Sequence, residues 1–468
     1  MLEGLEISIL KLSEILKDNI EFRSDSEYFS KKYLEFNSFL DSRSSDRISK
    51  YAKVSDGDHS KFPDNQIDEV RYLQAKDIKK HFIEDYNPVY ISKEYFNKNK
   101  RSHVTEENII LSIMGSVGDI AITPKDFIPT LANRAVAIIK EIKVINPYYL
   151  FTYLSTKYGQ LQIDRQKNGG VQERINLDVL SKIRIPFIEN NFQKTIEKTI
   201  KDSHLKRKES RQTYSQAETL LLETLGLIDF EPTTEAVNIK NFKESFLSSG
   251  RLDAEYYQKK YEEIIARVKS HKYDQLGNLV NIIKSIEPGS DAYQEEGVPF
   301  IRVSNLNKMG LSEPDIHLDG VKYKDVVRPR KDTILLSKDG SVGIAYKVSE
   351  DMNAITSGAI LHLSVKTDEV LPDYLTLVLN SKVVQMQAER DAGGSILQHW
   401  KPSEIEQVEI PIIDKQIQEK IASLVSDSFT LKKQSEQLLE TAKRAVEIAI
   451  EEGEEVAMQF IKESQAFN

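Results

Sequence analysis

Two short glycine-containing stretches in this sequence have residue types and a spacing that could bind a phosphate. Gly-Ser-Val-Gly occurs at residues 115–118 and again at residues 340–343, each time between two short apolar runs. The backbone N–H groups of such a turn can cradle a phosphate, and glycine is also the residue that a tight turn with positive φ requires. Because the stretch recurs at an offset of 225 positions, we expect Gly115, Gly118, Gly340 and Gly343 to be structural turns, with phosphate contact left open.

Other motifs of catalysis are absent from the sequence. There is no phosphate-binding loop of the Gly-x4-Gly-Lys-Ser/Thr type and no Gly-x-Gly-x-x-Gly. The chain has no cysteine, and none of its eight histidines pairs with another at metal-ligand spacing. We therefore expect no catalytic residues, no metal site and no cofactor in this chain.

Composition is that of a globular protein with more than one module. The 468 residues are 40% apolar and 29% charged, and the net charge is −9. An acidic balance disfavours a protein whose whole surface grips nucleic acid, although it leaves room for local basic faces. No apolar run approaches the length that spans a bilayer, so a cytoplasmic protein without membrane contact is expected.

An internal repeat dominates the chain. Residues 23–33 and 251–261 share Arg-x-Asp-x-Glu-Tyr-aromatic-x-Lys-Lys-Tyr, seven identities in eleven positions without a gap. The correspondence continues through residues 72–78 and 300–306, the glycine turns and two proline-started helices. It ends at a pair of Gly-Gly loops, each followed by a glutamine, and a pair of Ile-Pro steps. Residues 172–174 and 398–401 match loosely, with a difference of one residue in length.

A long charged segment without proline follows each Ile-Pro step. Residues 191–225 and 415–450 carry apolar residues at helical spacing, and each would form a helix of roughly 50 Å. The first seam is predicted at Ile196, Ile200, Tyr214, Ala217 and Leu221, and the second at Leu424, Leu431, Leu438 and Ala445. A helix that is apolar on one stripe must bury it, and its own duplicate is the nearest candidate.

These features predict an α+β protein with two repeated α/β modules. Each module is followed by a long helix, and the two helices pack as an antiparallel coiled coil with pseudo-two-fold symmetry. The expected boundaries are 1–20 for an N-terminal helix, 21–188 for the first module, 189–227 for the first long helix, 228–250 for a connector, 251–411 for the second module, and 412–468 for the second long helix with an acidic tail.

Taken in this order, the repeated motifs resemble the specificity subunit of a type I restriction–modification system. The resemblance implies that each module is a target-recognition domain reading one half of a bipartite, non-palindromic DNA site. It implies that the helices set the half-site spacing and dock two methyltransferase subunits, with two restriction/motor subunits as further partners. S-adenosylmethionine, ATP and Mg²⁺ would then belong to the partners, which would carry the adenine methyltransferase and endonuclease activities.

Candidate DNA contacts lie around the glycine turns and the Gly-Gly loops. Arginine and lysine suit guanine or phosphate, and glutamine suits adenine. The candidates are Arg134, Arg165, Lys167, Gln172 and Arg174 in the first module, and Lys338, Ser341, Gln398, His399 and Lys401 in the second. A solvated or loop-packing side chain is the alternative for each one. A protein-interaction scaffold that does not bind DNA, and the specificity subunit of a related methylation-based phage-defence system, are the alternative functions.

Overall fold

The structure is a computed structural model that describes residues 7–17, 19, 21–60, 69–79, 81–84, 88–169, 173–235, 237–393 and 398–466. The chain divides into two compact units. Unit 1 comprises residues 1–207 together with 433–468, and unit 2 comprises residues 208–432. Each unit is described by itself.

Short strands and helices alternate in the first half of the chain, which ends in one long helix. The helices are Leu12–Leu16 (α1), Lys31–Asp41 (α2), Ile48–Tyr51 (α3), Lys93–Lys98 (α4), Pro147–Ser155 (α5), Lys157–Arg165 (α6), Leu177–Leu180 (α7) and Asn190–Thr224 (α8). The strands are Ser45–Arg47 (β1), Lys53–Asp56 (β2), Val70–Leu73 (β3), Ile78–Lys79 (β4), Phe82–Ile83 (β5), Val89–Ile91 (β6), His103–Val104 (β7), Ile109–Ser112 (β8), Ile120–Ile122 (β9), Thr130–Ala132 (β10), Val136–Lys140 (β11) and Arg184–Pro186 (β12).

The second half repeats most of this order, and among its described residues it lacks a counterpart of α4 and β7 and ends in one more helix. Its helices are Phe246–Ser249 (α9), Lys259–Lys269 (α10), Leu276–Leu279 (α11), Pro372–Asn380 (α12), Lys382–Asp391 (α13), Pro402–Ile405 (α14), Lys415–Glu451 (α15) and Glu454–Ala466 (α16). Its strands are Tyr273–Gln275 (β13), Val280–Lys284 (β14), Val298–Ile301 (β15), Leu306–Asn307 (β16), Gly310–Leu311 (β17), His317–Leu318 (β18), Ile334–Ser337 (β19), Ala345–Lys347 (β20), Ile355–Thr356 (β21), Ile360–Val365 (β22) and Glu409–Pro411 (β23).

Each unit is built on a four-stranded antiparallel sheet with the same topology. The strand order is β2-β11-β8-β9 in unit 1 and β14-β22-β19-β20 in unit 2. Successive residues of β8 face opposite cores, because Ile109 and Leu111 join one apolar cluster while Ile110 joins another. A strand buried on both faces reads as a continuous apolar run, which is why the sequence pattern around the glycine turns is so clear. The predicted order of strand, glycine turn and strand is confirmed in both units.

A buried helix begins at a proline in each unit and holds the closing strand. The N-termini of α5 and α12 both start with proline at the first helical position, as predicted. The Tyr149 hydroxyl donates to the Pro186 carbonyl at 3.0 Å, and the Tyr374 hydroxyl donates to the Pro411 carbonyl at 2.7 Å. Each Ile-Pro step is therefore fastened to the same turn of the preceding buried helix.

One glutamine in each unit joins the next helix to that closing strand through two hydrogen bonds. Gln162 donates to the Arg184 carbonyl and accepts from the Arg184 N–H, both at 2.9 Å. Gln387 makes the same pair of bonds with Glu409, at 3.0 and 2.9 Å. The side-chain amide thus takes the place of a neighbouring strand for one residue of β12 or β23.

The repeated Arg-x-Asp-x-Glu-Tyr motif also forms a structural unit. Both Nε and Nη2 of Arg23 donate to Asp25 at 2.8 Å, and this contact lowers the pKa of Asp25 to about 2. The guanidinium groups of Arg23 and Arg165 lie 4.9 and 4.2 Å from the centroid of the Tyr28 ring. The duplicate has the same arrangement, with Arg251 and Arg390 lying over the ring of Tyr256 at 4.5 and 4.9 Å.

The long helices α8 and α15 bury one stripe each. The first seam agrees with the prediction, since Ile196, Ile200, Tyr214, Ala217 and Leu221 are all buried. The predicted second seam is wrong by part of a turn. Leu424, Leu431 and Leu438 are half-buried, and only Ala445 of that set is buried. The buried stripe has spacings of three, four and, between its two serines, seven residues, and its members are Ile421, Val425, Ser428, Ser435, Leu439, Ala442 and Val446.

Polar residues occupy the middle of these stripes. In unit 1, the hydroxyls of Ser203 and Ser435 each donate to the other residue's carbonyl at 2.7 Å. In unit 2, the Ser428 hydroxyl donates to the Ser210 carbonyl at 2.8 Å. A sequence search for apolar heptads ignores such serines. The prediction therefore followed leucines that lie beside the buried stripe and not on it.

Both ends of the chain differ from the prediction. Among the described residues, the helix expected over residues 1–20 is limited to α1. The described residues before α1 are not helical, and Ile9 and Leu12 are exposed rather than packed. The predicted acidic tail is wrong for residues 454–466, which form helix α16. Its residues Ala457 and Ile461 are buried in the core of unit 1. Gly453 has φ +103 and separates α15 from α16, so the acidic stretch straddles a helix break.

The glutamine contact predicts a specific loss of stability. Replacing Gln387 by Leu removes both bonds to Glu409 and leaves two strand groups without that partner, which should cost about 1–3 kcal/mol. The melting temperature of the complete chain should fall by roughly 2–4 °C for each kcal/mol lost. The exposed Gln216 of α8 provides the control, because Gln216→Leu should change stability by less than about 0.5 kcal/mol. Equal shifts for both variants would contradict this role of Gln387.

Candidate nucleic-acid interface

The second glycine of each turn is fixed by its neighbours. Gly118 has φ +104 and Gly343 has φ +86. A Cβ at Gly118 would lie 2.9 Å from the Gln160 side chain, and one at Gly343 would lie 2.7 Å from Gln385. These glutamines donate to the glycine carbonyls at 3.2 and 2.8 Å. Glycine is required here because φ is positive and the turn packs directly against the glutamine amide.

The first glycine of each turn is open to its surroundings. Gly115 and Gly340 have φ values of +81 and +73, and a Cβ at either position would meet nothing within 4 Å. The serine that follows each of them, Ser116 or Ser341, is exposed. The tip of the turn is therefore presented outward while its base is held by the glutamine.

The Gly-Gly loop is brought beside the turn in both units by matching pairs of β-bridges. Arg174 bridges to Met114 of the turn and to Asn168 of the loop. His399 bridges in the same way to Asp339 and Gly393. The two corners superimpose at an offset of 225 for every member. The loose match with a one-residue difference is therefore wrong, since Arg174 corresponds to His399 without a gap.

A buried side chain anchors each corner from below. The residue after Arg174 is Ile175, and the residue after His399 is Trp400, which is fully buried. The Ile175 N–H donates to the Ile113 carbonyl at 3.2 Å, and the Trp400 N–H donates to the Lys338 carbonyl at 2.8 Å. Arg174 and His399 thus emerge from rigid backbone and have exposed side chains.

An acceptor orients each of these two side chains. The Nε of Arg174 donates to Asn168 Oδ1 at 3.2 Å. The ring Nδ1 of His399 contacts the Asp339 carboxylate. The remaining guanidinium nitrogens of Arg174 suit the O6 and N7 acceptors of guanine. With Nδ1 held by Asp339, His399 presents Nε2 to the outside.

Three of the predicted contact residues are held within the protein. Lys338 is buried with its ammonium against Asp339, so it does not reach the surface. Arg165 packs on Tyr28 and donates to the Tyr28 carbonyl at 3.0 Å. Their places in the repeat explain the error, because both residues combine a basic side chain with a position that the fold uses for packing.

Lys167 is likewise engaged in ion pairs. Its ammonium lies 2.8 Å from Asp164 and 3.3 Å from Glu173, and its side chain is 24% exposed. Burial by itself lowers the pKa of Lys167, but the hydrogen bond and charge of Asp164, with Glu173, outweigh it and raise the pKa. Lys167 therefore balances nearby carboxylates and is a weak candidate for phosphate.

The other predicted residues lie at or near the surface. Arg134, Gln398 and Lys401 are exposed. Arg134 stands beside the first turn, because the carbonyl of the next residue, Ala135, accepts from the Ile113 N–H at 2.8 Å. Lys401 Nζ lies 3.2 Å from Glu404 at the start of α14. Gln172 lies outside the described residues.

Sequence reasoning missed the orienting partners Asn168 and Asp339. Neither residue is repeated in the other copy, since Asn168 corresponds to Gly393 and Asp339 corresponds to Met114. Differences between the copies, read at the constant offset, were the signal that could have found them. Among the described residues there is no group of three or more potential metal ligands. In the same part of the chain, no helix is both long enough and apolar enough to cross a bilayer.

Comparison with known proteins identifies the family. The model of the type I restriction modification DNA specificity domain matches residues 60–211 and 271–441, one segment for each copy of the repeat. The chain belongs to this family. The resemblance inferred from the motifs is thereby confirmed.

Individual relatives are distant. The specificity subunit of the type I restriction enzyme EcoBI from Escherichia coli is 27% identical over 136 residues, which are 29% of this chain and only 27% of that relative. The crystal structure of the type I restriction-modification S subunit from M. genitalium has a TM-score of 0.37 at 13% identity, covering 90% of this chain and 95% of the other. The HsdS subunit from Thermoanaerobacter tengcongensis has a TM-score of 0.28 at 14% identity, covering 90% and 96%.

The two glycines of the second turn should differ in their tolerance of a methyl group. Gly343→Ala places a Cβ against Gln385 at positive φ, whereas Gly340→Ala meets the same unfavourable φ with open space around it. We expect Gly340→Ala to cost about 1 kcal/mol and Gly343→Ala to cost clearly more. Urea unfolding of the two variants measures the difference. Equal costs would show that Gln385 yields and does not define the turn.

Proposed function

We propose that this chain is the DNA-recognition subunit of a type I restriction–modification complex and has no catalytic role of its own. The observation that carries the proposal is the pair of matching corners at Arg174 and His399. The chain belongs to a family of DNA specificity domains, and each of its modules places one exposed polar side chain at the same position of the same bridged backbone. The backbone of the corner is the same in both modules while its side chain differs, as expected for two modules that read different sequences.

In this proposal each module, residues 21–188 and 251–411, reads one half of a bipartite, non-palindromic site. Candidate readers are Arg174 with Arg134 in the first module, and His399 with Gln398 and Lys401 in the second. Ser341 at the tip of its turn is placed to contact phosphate, and most contacts to DNA go to the backbone. Bases read by arginine and by histidine differ, which supports an asymmetric target.

The long helices are the proposed spacer between the two half-sites. The partner numbers run in opposite directions, since Ser203 pairs with Ser435 and Ser210 pairs with Ser428. That order supports an antiparallel coiled coil with pseudo-two-fold symmetry. Buried polar residues in a helix seam favour one register over others, because a shifted register would leave them without partners. A fixed register would give a fixed distance between recognition modules.

Catalysis and its cofactors are assigned to partners. Two methyltransferase subunits would bind S-adenosylmethionine and modify adenine, and two restriction/motor subunits would bring ATP and Mg²⁺. Flipping a base out of the duplex requires broad contact with DNA. With a net charge of −9, this chain would supply specificity while its partners supply much of the positive channel.

Exchange of a module tests the proposal. Residues 21–188 are replaced by the corresponding segment of a relative with another target, and the variant is expressed with its methyltransferase subunit. Sequencing of methylated bases should show one half of the site changed and the other half, with the spacing, preserved. A complex whose target does not change would rule out half-site reading by this module. A chain that adds no sequence preference to its partners would instead support an interaction scaffold.

The two corner residues provide a finer prediction. Arg174→Gln should relax one base of one half-site, and His399→Asn should relax one base of the other. Loss of one good base contact corresponds to about 1–3 kcal/mol of discrimination, or roughly 5- to 150-fold. The same methylation sequencing measures both, and each variant serves as the control for the other. Changes in both half-sites from one substitution would show that the corner positions the DNA in general and does not read a base.

A further inference from the structure

The corner of unit 2 contains two charged residues that the corner of unit 1 lacks. At the constant offset of 225 positions, Lys338 stands where unit 1 has Ile113. The next residue, Asp339, stands where unit 1 has Met114. Lys338 and Ile113 are both buried, and burying an ammonium costs free energy that burying an isoleucine does not. Because an apolar residue suffices at this position in unit 1, the lysine of unit 2 serves more than packing.

The Asp339 carboxylate joins this buried lysine to the exposed histidine of the corner. One oxygen, Oδ2, accepts from the Lys338 ammonium, and the other, Oδ1, contacts Nδ1 of His399. The exposed fraction of the side chain rises from 4% for Lys338 to 31% for Asp339 and 54% for His399. A row of three polar groups therefore leads from the interior of the module to its surface.

This row determines which ring nitrogen of His399 carries the hydrogen. A carboxylate that faces an ammonium offers only acceptors, so the group opposite Oδ1 has to donate. Nδ1 of His399 is therefore the N–H, and in the neutral ring Nε2 is then an acceptor. Lys338 already supplies the positive charge opposite Asp339, so the histidine can donate to it as a neutral ring.

We propose that His399 reads the exocyclic amino group of one base, adenine N6 or cytosine N4, in the major groove. This inference rests on the proposed function and names the chemical group that the second module recognises. An acceptor at Nε2 suits those amino groups, whereas guanine O6 and N7 and thymine O4 are themselves acceptors. Lys338 and Asp339 are positioning residues, because they act on DNA only through His399. Arg174, at the same place in unit 1, has only donors and needs no carboxylate to select them.

Duplexes with one altered base test which group His399 contacts. The complete chain is combined with its methyltransferase subunit, and His399→Ala first locates the base pair at which the methylated sequence becomes less specific. At that pair, one duplex lacks the exocyclic amino group and another lacks the purine N7. Loss of the amino group should lower kcat/KM for methylation by the parent complex roughly 2- to 10-fold, as for one hydrogen bond, and should not affect His399→Ala. Loss of N7 should not distinguish the two complexes.

The positioning residues are tested by giving unit 2 the residues of unit 1. The double variant Lys338→Ile with Asp339→Met keeps His399 and removes the carboxylate together with the buried charge. Unit 1 shows that the fold accepts both new side chains at these positions. The penalty for a missing amino group should largely disappear, while the melting temperature and the half-site of the first module stay as in the parent. Nitrogen-15 NMR of ring-labelled histidine should place the hydrogen of His399 on Nδ1 in the parent chain and no longer fix it there in the variant.

Three results would overturn the proposal. One is a parent complex that is slowed by loss of N7 and not by loss of the amino group, since Nε2 would then donate. Another is a parent complex that tolerates both altered duplexes as His399→Ala does, since the histidine would then not contact a base. The third is a parent spectrum with the hydrogen of His399 on Nε2 alone. The proposed function fails separately, because a chain that adds no sequence preference to its methyltransferase subunit yields no base pair to alter.

Discussion

Each module depends on one glutamine amide. Gln162 and Gln387 make two hydrogen bonds each with the strand that leads into a long helix. That strand comprises only three residues and pairs with one other short strand. Without the amide, its free edge would bury an unpaired N–H and carbonyl, which costs about 1–3 kcal/mol. The glutamine therefore sets where the globular module stops and the helix starts.

The repeated residues are the ones that the fold uses. The paired glutamines, the tyrosines on the Ile-Pro carbonyls, the arginines on Tyr28 and Tyr256, and the second glycine of each turn all make the same contacts in both units. The exposed corners differ between the copies, since Arg174 stands in one unit and His399 in the other. Duplication followed by divergence thus keeps these internal contacts constant and changes the side chain that each exposed corner presents.

The centre of the long helices is polar, in contrast to an ordinary coiled-coil seam. Four residues after Ser203 on the same helix lies Arg207, whose guanidinium contacts Glu84 and lies 3.3 Å from Glu436. A buried ion pair adds little net stability, because desolvation offsets the Coulomb attraction. Its value is positional. It ties the helix to the β4–β5 hairpin of the same unit, since Phe82 of that hairpin lies 4.9 Å from the same guanidinium.

Sequence alone determined the repeat, the family, the strand–turn–strand order and the two long helices. Each of these depends on local periodicity or on a constant offset between copies, which a linear chain displays directly. It could not place the stripe of the second helix, because serines closed it, nor the last helix, whose acidic first turn resembles a solvated tail.

The candidate site required the tertiary structure. Lys338, Arg165 and Lys167 have the residue type of DNA contacts, yet burial, packing on an aromatic ring and ion pairs engage them within the protein. Arg174 and His399 became equivalent only when their bridges to the glycine turns were seen. Whether a basic side chain faces solvent or a carboxylate depends on residues distant in sequence. For that reason the chain specified the frame of each module by itself, and only folding decided which side chains the frame presents.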